Sequence, residues 1–354
     1  MKLSKRVVLD LYTDYLISSC GLATATGMSA VLDHQISHDS ITRLLSSNYI
    51  TSRRLWSEVK PMCQEIEQDD AVVIIDDSIE AKPYTDCNEM IGWHFDHTEG
   101  RSVKGVNFIT AIYHSWQMSL PVGITFIKKD IVYKDNNGNQ KRKSSISKQQ
   151  HFRELVRHSR EKLSFRYVLS DSWFGCADNM KFIAEDCGSD FIMALKENRK
   201  VALSKEGKLS GNYISIKEAV PEGCVRSVYV EQLDFPILIA KQVFKDGDGV
   251  TGTLYLASSD LSLLYEQITA IYQKRWKVEE YHKSIKSNTA FPKSPTKSVI
   301  SQQSHFIASV LAYVKMERLK VKVSTNHFAL KSLMTINATK AAWITLQQLD
   351  GTRA

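Results

Sequence analysis

Three carboxylates stand at positions that suit metal-dependent chemistry. Asp76 and Asp171 each follow a short apolar run, and Glu279 lies in a charged segment with helical spacing. Carboxylate oxygens are the ligands that Mg²⁺ prefers, and a site usually takes only two or three of them from the protein. Bound divalent ions catalyse phosphoryl transfer because they activate the attacking oxygen and stabilise the leaving oxygen. The three side chains therefore predict a metal site for phosphoryl transfer.

The two aspartates also fit a structural interpretation. Asp is common after strands, where it forms turns or caps the next helix. Asp77 also competes with Asp76, because the run before them is apolar throughout and strand alternation does not separate the two. We prefer Asp76, the first residue of the Asp-Asp-Ser triplet.

Glu279 belongs to a segment whose spacing groups four functional side chains. At about 100° per residue, a helix face of roughly 60° carries Tyr272, Arg275, Glu279 and Lys286. Arginine and lysine at these positions could hold DNA phosphates on either side of a metal-bound glutamate. An exposed helix with ordinary ion pairs, such as Arg275 with Glu279, explains the same charges. The charge pattern alone favours the exposed helix.

The elements that would position these residues follow from the pattern of apolar residues. Gly105 and a turn at Leu120-Pro121 punctuate the second and third strand runs. The strands predicted before the middle of the chain are 71–76, 104–116, 119–127, 166–170 and 190–195, and the helices between them are 147–163 and 175–187. This order predicts an α/β fold, with a mixed sheet flanked by helices.

The second half of the chain is predicted to contain a group of short strands followed by helices. Short strands are predicted at 225–230, 236–243 and 251–257, with a turn at 246–249. A long helix is predicted from 261 to 286, closed by two prolines, and residues 299–350 are again helical.

The N-terminal 66 residues are predicted to be helical, and 27–47 resemble a helix-turn-helix. The first helix would be Ser29–His34 and the second Asp39–Ser47, with Ser37 as its N-cap and Arg43 on its surface. Any short helical hairpin would give the same pattern. A basic patch that follows it, Arg53, Arg54 and Lys60, fits either interpretation.

Composition supports a globular chain with an acidic partner. The net charge is +7 with 43% hydrophobic residues, which favours nucleic acid as a partner. The six cysteines lack Cys-x-x-Cys spacing, so we expect reduced, structural thiols and no thiolate zinc site. No apolar run reaches the ~18 residues of a membrane span, so we expect a cytoplasmic protein.

The cluster His94-Phe95-Asp96-His97 is a weaker candidate for a metal site. Its spacing permits metal binding, but a third ligand is not evident. We favour a structural or DNA-proximal role for it.

The residues resemble a known family at several points. The gaps 275 − 272 = 3, 279 − 275 = 4 and 286 − 279 = 7 match the Tyr-(2)-Arg-(3)-Glu-(6)-Lys signature of bacterial insertion-sequence transposases of the DDE class. Further segments resemble the family's regions around its first and second aspartates, namely 76–84, 93–97, 104–107 and 167–174. The resemblance spans roughly 70–290.

This resemblance implies a ribonuclease H-like fold with a β-rich insertion and helical N- and C-terminal regions. The insertion accounts for the 279 − 171 = 108 positions between the second Asp and the Glu, and relatives associate it with hairpin formation at the transposon end. The implied domains are a helical DNA-binding domain at 1–68, a catalytic domain at 69–199 and 261–290, the insertion at 200–260, and a helical region at 291–354.

The resemblance also assigns roles to single residues. Asp76, Asp171 and Glu279 would bind two Mg²⁺ or Mn²⁺ ions. The implied contacts to the DNA backbone come from Tyr272, Arg275, Lys286 and Lys196. Trp276 matches an aromatic residue that lies near a displaced base, although core packing would explain it equally well.

The implied function is cut-and-paste DNA transposition. Partners would be double-stranded DNA at terminal inverted repeats and target DNA, with the protein forming a homodimer on DNA and associating with the nucleoid. Two alternatives remain open. One is a transposase-derived DNA-binding protein without turnover, and the other is a ribonuclease H-like nuclease that does not transpose.

Overall fold

The computed structural model describes residues 3–96, 99–245, 249 and 251–351 and has a mixed α/β architecture. The α-helices are α1 (Lys5–Ser18), α2 (Ala25–Val31), α3 (His38–Leu45), α4 (Ser52–Glu65), α5 (Lys148–Arg160), α6 (Ala177–Lys181), α7 (Lys205–Leu209), α8 (Ile216–Ala219), α9 (Tyr265–Gln273), α10 (Trp276–Asn288), α11 (Val299–Lys322) and α12 (His327–Leu349). The strands are β1 (Val72–Ala81), β2 (Gly92–Asp96), β3 (Arg101–Ser115), β4 (Met118–Phe126), β5 (Ile131–Lys134), β6 (Gln140–Lys143), β7 (Tyr167–Ser170), β8 (Asp190–Leu195), β9 (Lys200–Val201), β10 (Ile214–Ser215), β11 (Val225–Val228), β12 (Ile237–Lys245) and β13 (Thr251–Ser258).

A nine-stranded mixed sheet lies at the centre of the described chain. Its strand order is β11-β12-β13-β8-β7-β1-β3-β2, and β4 pairs with the later part of β3. β1 runs antiparallel to β3 and parallel to β7, and β7 runs parallel to β8. The residues Val72–Ile75 are completely buried, as expected for a β-branched strand with neighbours on both sides and helices over its faces. The prediction of a mixed sheet flanked by helices is confirmed.

The prediction that the first strand ends at Asp76 is wrong. β1 continues to Ala81, because β3 remains hydrogen-bonded to it along this polar stretch. The parallel partner β7 pairs only with Val72–Ile74. Asp76 therefore lies inside a strand, but at the point where that strand loses one of its two neighbours.

Gly105 does not mark the beginning of a strand. It lies inside β3, where it is in register with Ala81 of β1 on one side and Gly92 of β2 on the other. A Cβ at this position would lie 2.2 Å from the carbonyl oxygen of Glu80. The glycine is therefore required by the close approach of β1 and β3.

The strands predicted within 200–260 do not form a sheet of their own. β11, β12 and β13 form an antiparallel extension of the central sheet, in which β13 pairs with β8. Three residues of the turn predicted between β12 and β13 (246–248) lie outside the described residues. The domain boundaries remain a prediction.

The predicted single helix at 261–286 is divided into α9 and α10. The two residues between them, Lys274 and Arg275, keep right-handed helical dihedral angles. Their backbone N–H groups donate to the carbonyls three residues earlier, at Ile271 and Tyr272. A tight 3₁₀ turn thus joins two helices.

The prediction for the N-terminal helices is confirmed in part. Ser37 caps α3 as expected, since its side chain accepts a hydrogen bond from the backbone N–H of Ser40. The helix before it is α2 rather than Ser29–His34, because Asp33 and His34 have positive φ angles (49° and 60°) that a helix does not accommodate.

Two long helices complete the fold. α11 is buried and packs against α1, α4 and β4, whereas α12 is largely exposed. All six cysteines are free, and Cys20, Cys87 and Cys224 are exposed, so the expectation of structural thiols holds only in part. Within the described ranges, every helix is either too short or too polar to cross a bilayer.

Candidate active site

The strand β1 directs Asp76 and Asp77 to opposite faces of the sheet. Asp77 accepts hydrogen bonds from Lys148 at 2.6 Å and from Asn107 at 2.9 Å, on the face covered by α5. Asp76 faces α10, where its Oδ2 atom lies 3.4 Å from Nη1 of Arg275. Both aspartates line the cleft that also holds Asp171 and Glu279, but it is Asp76 that lies against Glu279.

Arg275 connects Asp76 to Glu279. Its Nη1 atom lies 3.2 Å from Oε1 of Glu279 in addition to its contact with Asp76. The Asp76 side chain is 12% exposed, whereas that of Glu279 is 42% exposed. The bridging guanidinium offsets the repulsion between the two carboxylates.

Asp171 approaches the same place from the end of β7. Its Oδ1 atom accepts hydrogen bonds from the backbone N–H groups of Trp173 and Phe174 at 3.1 and 3.3 Å, which closes a turn after the strand. Asp171 therefore has the turn-forming role considered from the sequence, and it also lines a cleft together with Asp76 and Glu279.

Burial and like charge act against ionisation of the two aspartates. The pKa of Asp76 is raised well above its usual value, mainly by burial and then by the neighbouring Asp171, while Arg275 lowers it. Burial also raises the pKa of Asp171, against the two N–H groups that lower it. Ionisation of these carboxylates is unfavourable in the free protein, and a bound cation would offset their negative charge. The cleft therefore favours the binding of a cation.

His282, one turn after Glu279, is a member of the site that the sequence analysis did not single out. Burial lowers its pKa to about 3, and the cations Lys286 and Arg275 act in the same direction. The imidazole is therefore neutral at physiological pH. Spacing of i and i+3 between Glu279 and His282 is the sequence signal that could have found it.

Two residues of the predicted helix face hold the site together. The Tyr272 side chain is buried, and its hydroxyl donates to the carbonyl of Ser170 at 3.2 Å, next to Asp171. Lys286 donates to the hydroxyl of Ser78 at 2.9 Å and to the carbonyl of Ile79 at 2.8 Å. These contacts fix α9 and α10 against β7 and β1, so both side chains have positioning roles in this conformation.

A cleft of about 850 Å³ surrounds the carboxylates. Lysines and aromatic side chains line it, namely Lys148, Lys196, Lys283, Lys286, Trp173 and Trp276. Trp276 is 61% exposed, which excludes the core-packing interpretation. Lys196 lies over the ring of Trp173 at 5.5 Å. Arg43, on α3, does not line this cleft.

Two family models match the sequence over most of its length. A model described as "DDE superfamily endonuclease" matches residues 2–213, and one described as "Transposase DDE domain" matches residues 123–315. Each match covers more than half of the 354 residues. The chain belongs to the DDE superfamily of endonucleases and transposases. The first match spans Asp76 and Asp171, and the second spans Asp171 and Glu279.

Other comparisons add little to the assignment of this DDE protein. No curated protein matches it significantly. A solved structure, Endonuclease V from Bacillus subtilis, aligns with 8% sequence identity over 82% of this chain and 94% of its own. The TM-score is 0.27, and at that value the likeness supports no conclusion.

The residues of this DDE protein fit a divalent metal ion, which DDE transposase domains generally use. Within the described ranges, one group of three side chains could ligate such an ion, and it consists of Asp76, Glu279 and His282. The ligand atoms of the group lie within 4.8 Å of one another. His94 and Asp96 are not part of such a group, and His97 lies outside the described residues.

Proposed function

We propose that this chain is a DNA transposase that cleaves the ends of its element and transfers the strands by metal-dependent phosphoryl transfer. The observation that carries the proposal is the position of Asp76, Asp171 and Glu279 in one cleft, surrounded by lysines and exposed tryptophans. Acidic groups on the floor suit metal ions, and a basic, aromatic rim suits a DNA strand.

We assign the catalytic domain to the ribonuclease H-like fold. Support comes from the strand order β4-β3-β1-β7-β8, in which the first three strands are antiparallel and the last three parallel. The chain order β1-β3-β4-α5-β7-α6-β8 is that expected from the resemblance, with β2 before β3 and the pair β5 and β6 before α5 as additions.

In the proposed reaction the carboxylates of Asp76, Asp171 and Glu279 hold two Mg²⁺ or Mn²⁺ ions. When bound, these ions would activate water or a 3′-hydroxyl and stabilise the leaving oxygen. The side chains of Lys196 and Lys283 are available in the cleft to neutralise phosphates of the strand. Trp276 offers an exposed aromatic face to an extruded base.

The proposed partners are the terminal inverted repeats of the element and a target DNA. A homodimer on DNA would bring two ends together. The insertion-sequence signature supports an element of this type, and it extends the proposal to cut-and-paste movement through a hairpin at the element end. The helical N-terminal region with Arg43 is the proposed recognition module for the repeats.

Cleavage of labelled element ends by the purified chain with Mg²⁺ tests this function. We expect nicking that Glu279→Gln lowers at least ~100-fold, because a metal ligand is removed. Glu280→Gln is the matched control, since Glu280 is the next residue and pairs with Lys277 at 2.9 Å instead of facing the carboxylates. Equal cleavage by Glu279→Gln and wild type would refute the assignment.

The product pattern separates the alternatives. A transposase joins the freed 3′ ends to target DNA, and a hairpin intermediate migrates on a denaturing gel as a strand of doubled length. A nuclease that does not transpose would cut without joining. A binding protein without turnover would shift the DNA in a gel and leave it intact with either metal.

A further inference from the structure

We propose that His282 is the third protein ligand, with Asp76 and Glu279, of one of the divalent metal ions. This inference rests on the proposed function and names a nitrogen donor in a site whose expected ligands are carboxylates. The remaining carboxylate, Asp171, is not a member of this three-residue group.

The first argument is geometric. Glu279 and His282 stand three residues apart within α10, so their side chains leave the same side of the helix. Glutamate and histidine at this spacing ligate metal ions together in helical carboxylate proteins. β1 presents Asp76 to that side, and one ligand atom from each of the three residues lies within 4.8 Å of the other two.

The second argument is the state of the imidazole. His282 is 6% exposed, and its Nε2 atom is buried without a hydrogen-bond partner. An unpaired buried polar atom costs about 1–3 kcal/mol, so a core histidine normally has a partner. The ring cannot easily turn away from the site, because the side chains of Phe108 and Tyr281 pack against it with centroids 5.6 and 5.4 Å away.

The donor set has a consequence for the choice of metal. Two carboxylate oxygens and one imidazole nitrogen favour Mn²⁺ and later transition metals over Mg²⁺, which prefers oxygen ligands only. We expect the wild-type chain to bind Mn²⁺ at this position more tightly than Mg²⁺. The variant His282→Asp has an oxygen-only ligand set, and we expect it to lower the ratio of the Mn²⁺ affinity to the Mg²⁺ affinity.

Pulsed electron paramagnetic resonance of the full chain loaded with Mn²⁺ tests the ligand directly. We expect modulation from a directly bound ¹⁴N nucleus in the wild type, and its replacement by ¹⁵N modulation when the protein is labelled with ¹⁵N-histidine. We expect His282→Gln to lose this modulation and to bind Mn²⁺ about 10- to 100-fold more weakly. The labelled wild type gives an answer even if the variant does not fold.

His94→Gln is the matched control, because His94 is also buried and its Nε2 atom also lacks a partner. The nitrogen modulation should persist in this variant. Bound Mn²⁺ without nitrogen modulation in the wild type would overturn the inference, as would its loss in His94→Gln alone. If Mn²⁺ binds without nitrogen modulation but DNA cleavage is normal, the ligand inference fails and the proposed function stands. If the nitrogen modulation is present but DNA is not cleaved, the proposed function fails and the ligand inference stands.

Discussion

Asp76 occupies a position that disfavours its own negative charge. It is buried and lies near Asp171, and its carboxylate contacts the Arg275 guanidinium at 3.4 Å and accepts a hydrogen bond from the Asp77 backbone N–H at 2.8 Å. The same features make the site attractive to a divalent cation. The stability of the metal-free chain therefore favours an uncharged side chain at position 76, whereas the proposed function requires the carboxylate.

We predict that Asp76→Asn stabilises the metal-free protein while abolishing DNA cleavage. Burial raises the pKa of Asp76 in the folded chain well above its usual value, so the folded state retains a proton that the unfolded state has released. The contribution of this group to stability is thus complete below about pH 4 and is lost as the pH rises through the folded pKa.

Thermal unfolding in EDTA at several pH values measures this effect. The variant should melt about 1–3 °C above the wild type at pH 7 and at the same temperature near pH 4. Asp77→Asn is the control and should be destabilising, since it breaks the ion pair with Lys148. A lower melting temperature for Asp76→Asn at pH 7 would contradict the interpretation.

Trp276 should act on DNA without affecting the fold. If the chain forms the proposed hairpin, we predict that Trp276→Ala slows this step by about 5- to 150-fold, the range that corresponds to loss of ~1–3 kcal/mol of base stacking. The melting temperature should stay unchanged, because the side chain is 61% exposed. Trp116→Ala, at a tryptophan that is 57% exposed and outside the cleft, should form hairpins at the wild-type rate; equal rates for both variants would exclude the stacking role.

At the scale of single elements, the register of β1 depends on Gly105. We predict that Gly105→Ala lowers the free energy of unfolding by about 1–3 kcal/mol, because the new Cβ would lie 2.2 Å from the backbone oxygen of Glu80. Chemical denaturation of this variant and of Gly21→Ala measures the cost. Gly21 has open space around it and an ordinary φ angle, so its variant should be near neutral.

Local sequence patterns predict most strands but not where β1 ends. The apolar run stops at Ile75, yet the strand continues through the polar residues to Ala81 because β3 pairs with it. The pairing of β13 with β8 is equally non-local, and no pattern within 200–260 distinguishes a separate sheet from an extension of the central one. Both facts depend on partners distant in the chain.

The candidate site was predictable where one continuous segment of the chain carries it. The spacing from Tyr272 to Lys286 predicts a shared face, and contacts to β7 and β1 come from both ends of that segment. Whether Asp76 or Asp77 faces Glu279 depends on which side of the sheet α10 covers, which local spacing does not specify. The tight turn before α10 also lacks a proline or glycine to mark it.

At the scale of the whole molecule, α12 leaves an apolar surface uncovered. Its side chains from 335 to 349 are exposed except for the half-buried Gln347, and the helix carries lysines only at 331 and 340 as full charges. Large apolar side chains on this part of the helix, Ile336, Trp343, Ile344, Leu346 and Leu349, are exposed, and such a patch marks a contact surface. We therefore expect this helix to supply contacts in the proposed homodimer.

Light scattering after size-exclusion chromatography tests this expectation. We predict a dimer for the wild type at micromolar concentration, and a monomer for Ile344→Glu, because a charge would enter the apolar contact. Leu209→Glu places the same charge at an exposed leucine on α7 and should remain dimeric. A wild type that is monomeric both alone and when bound to element-end DNA would contradict this expectation.

The N- and C-terminal helical regions share one core. The hydroxyl of Tyr12 is 2.9 Å from Nδ1 of His305, and Lys331 donates to the carbonyl of Ser19 at 2.8 Å. The helix α1 also packs along α11. Removing the first 68 residues would therefore expose the buried face of α11.

This shared core limits how the chain can diverge. A recognition module joined by a linker can be exchanged whole between genes, so that an enzyme acquires specificity for a new DNA site in one recombination event. Here such an exchange would replace half of a hydrophobic interface at the same time. Chimaeras joined near residue 68 should therefore fail to fold, and if the N-terminal helices are the proposed recognition module, new specificity should accumulate through single surface substitutions on them.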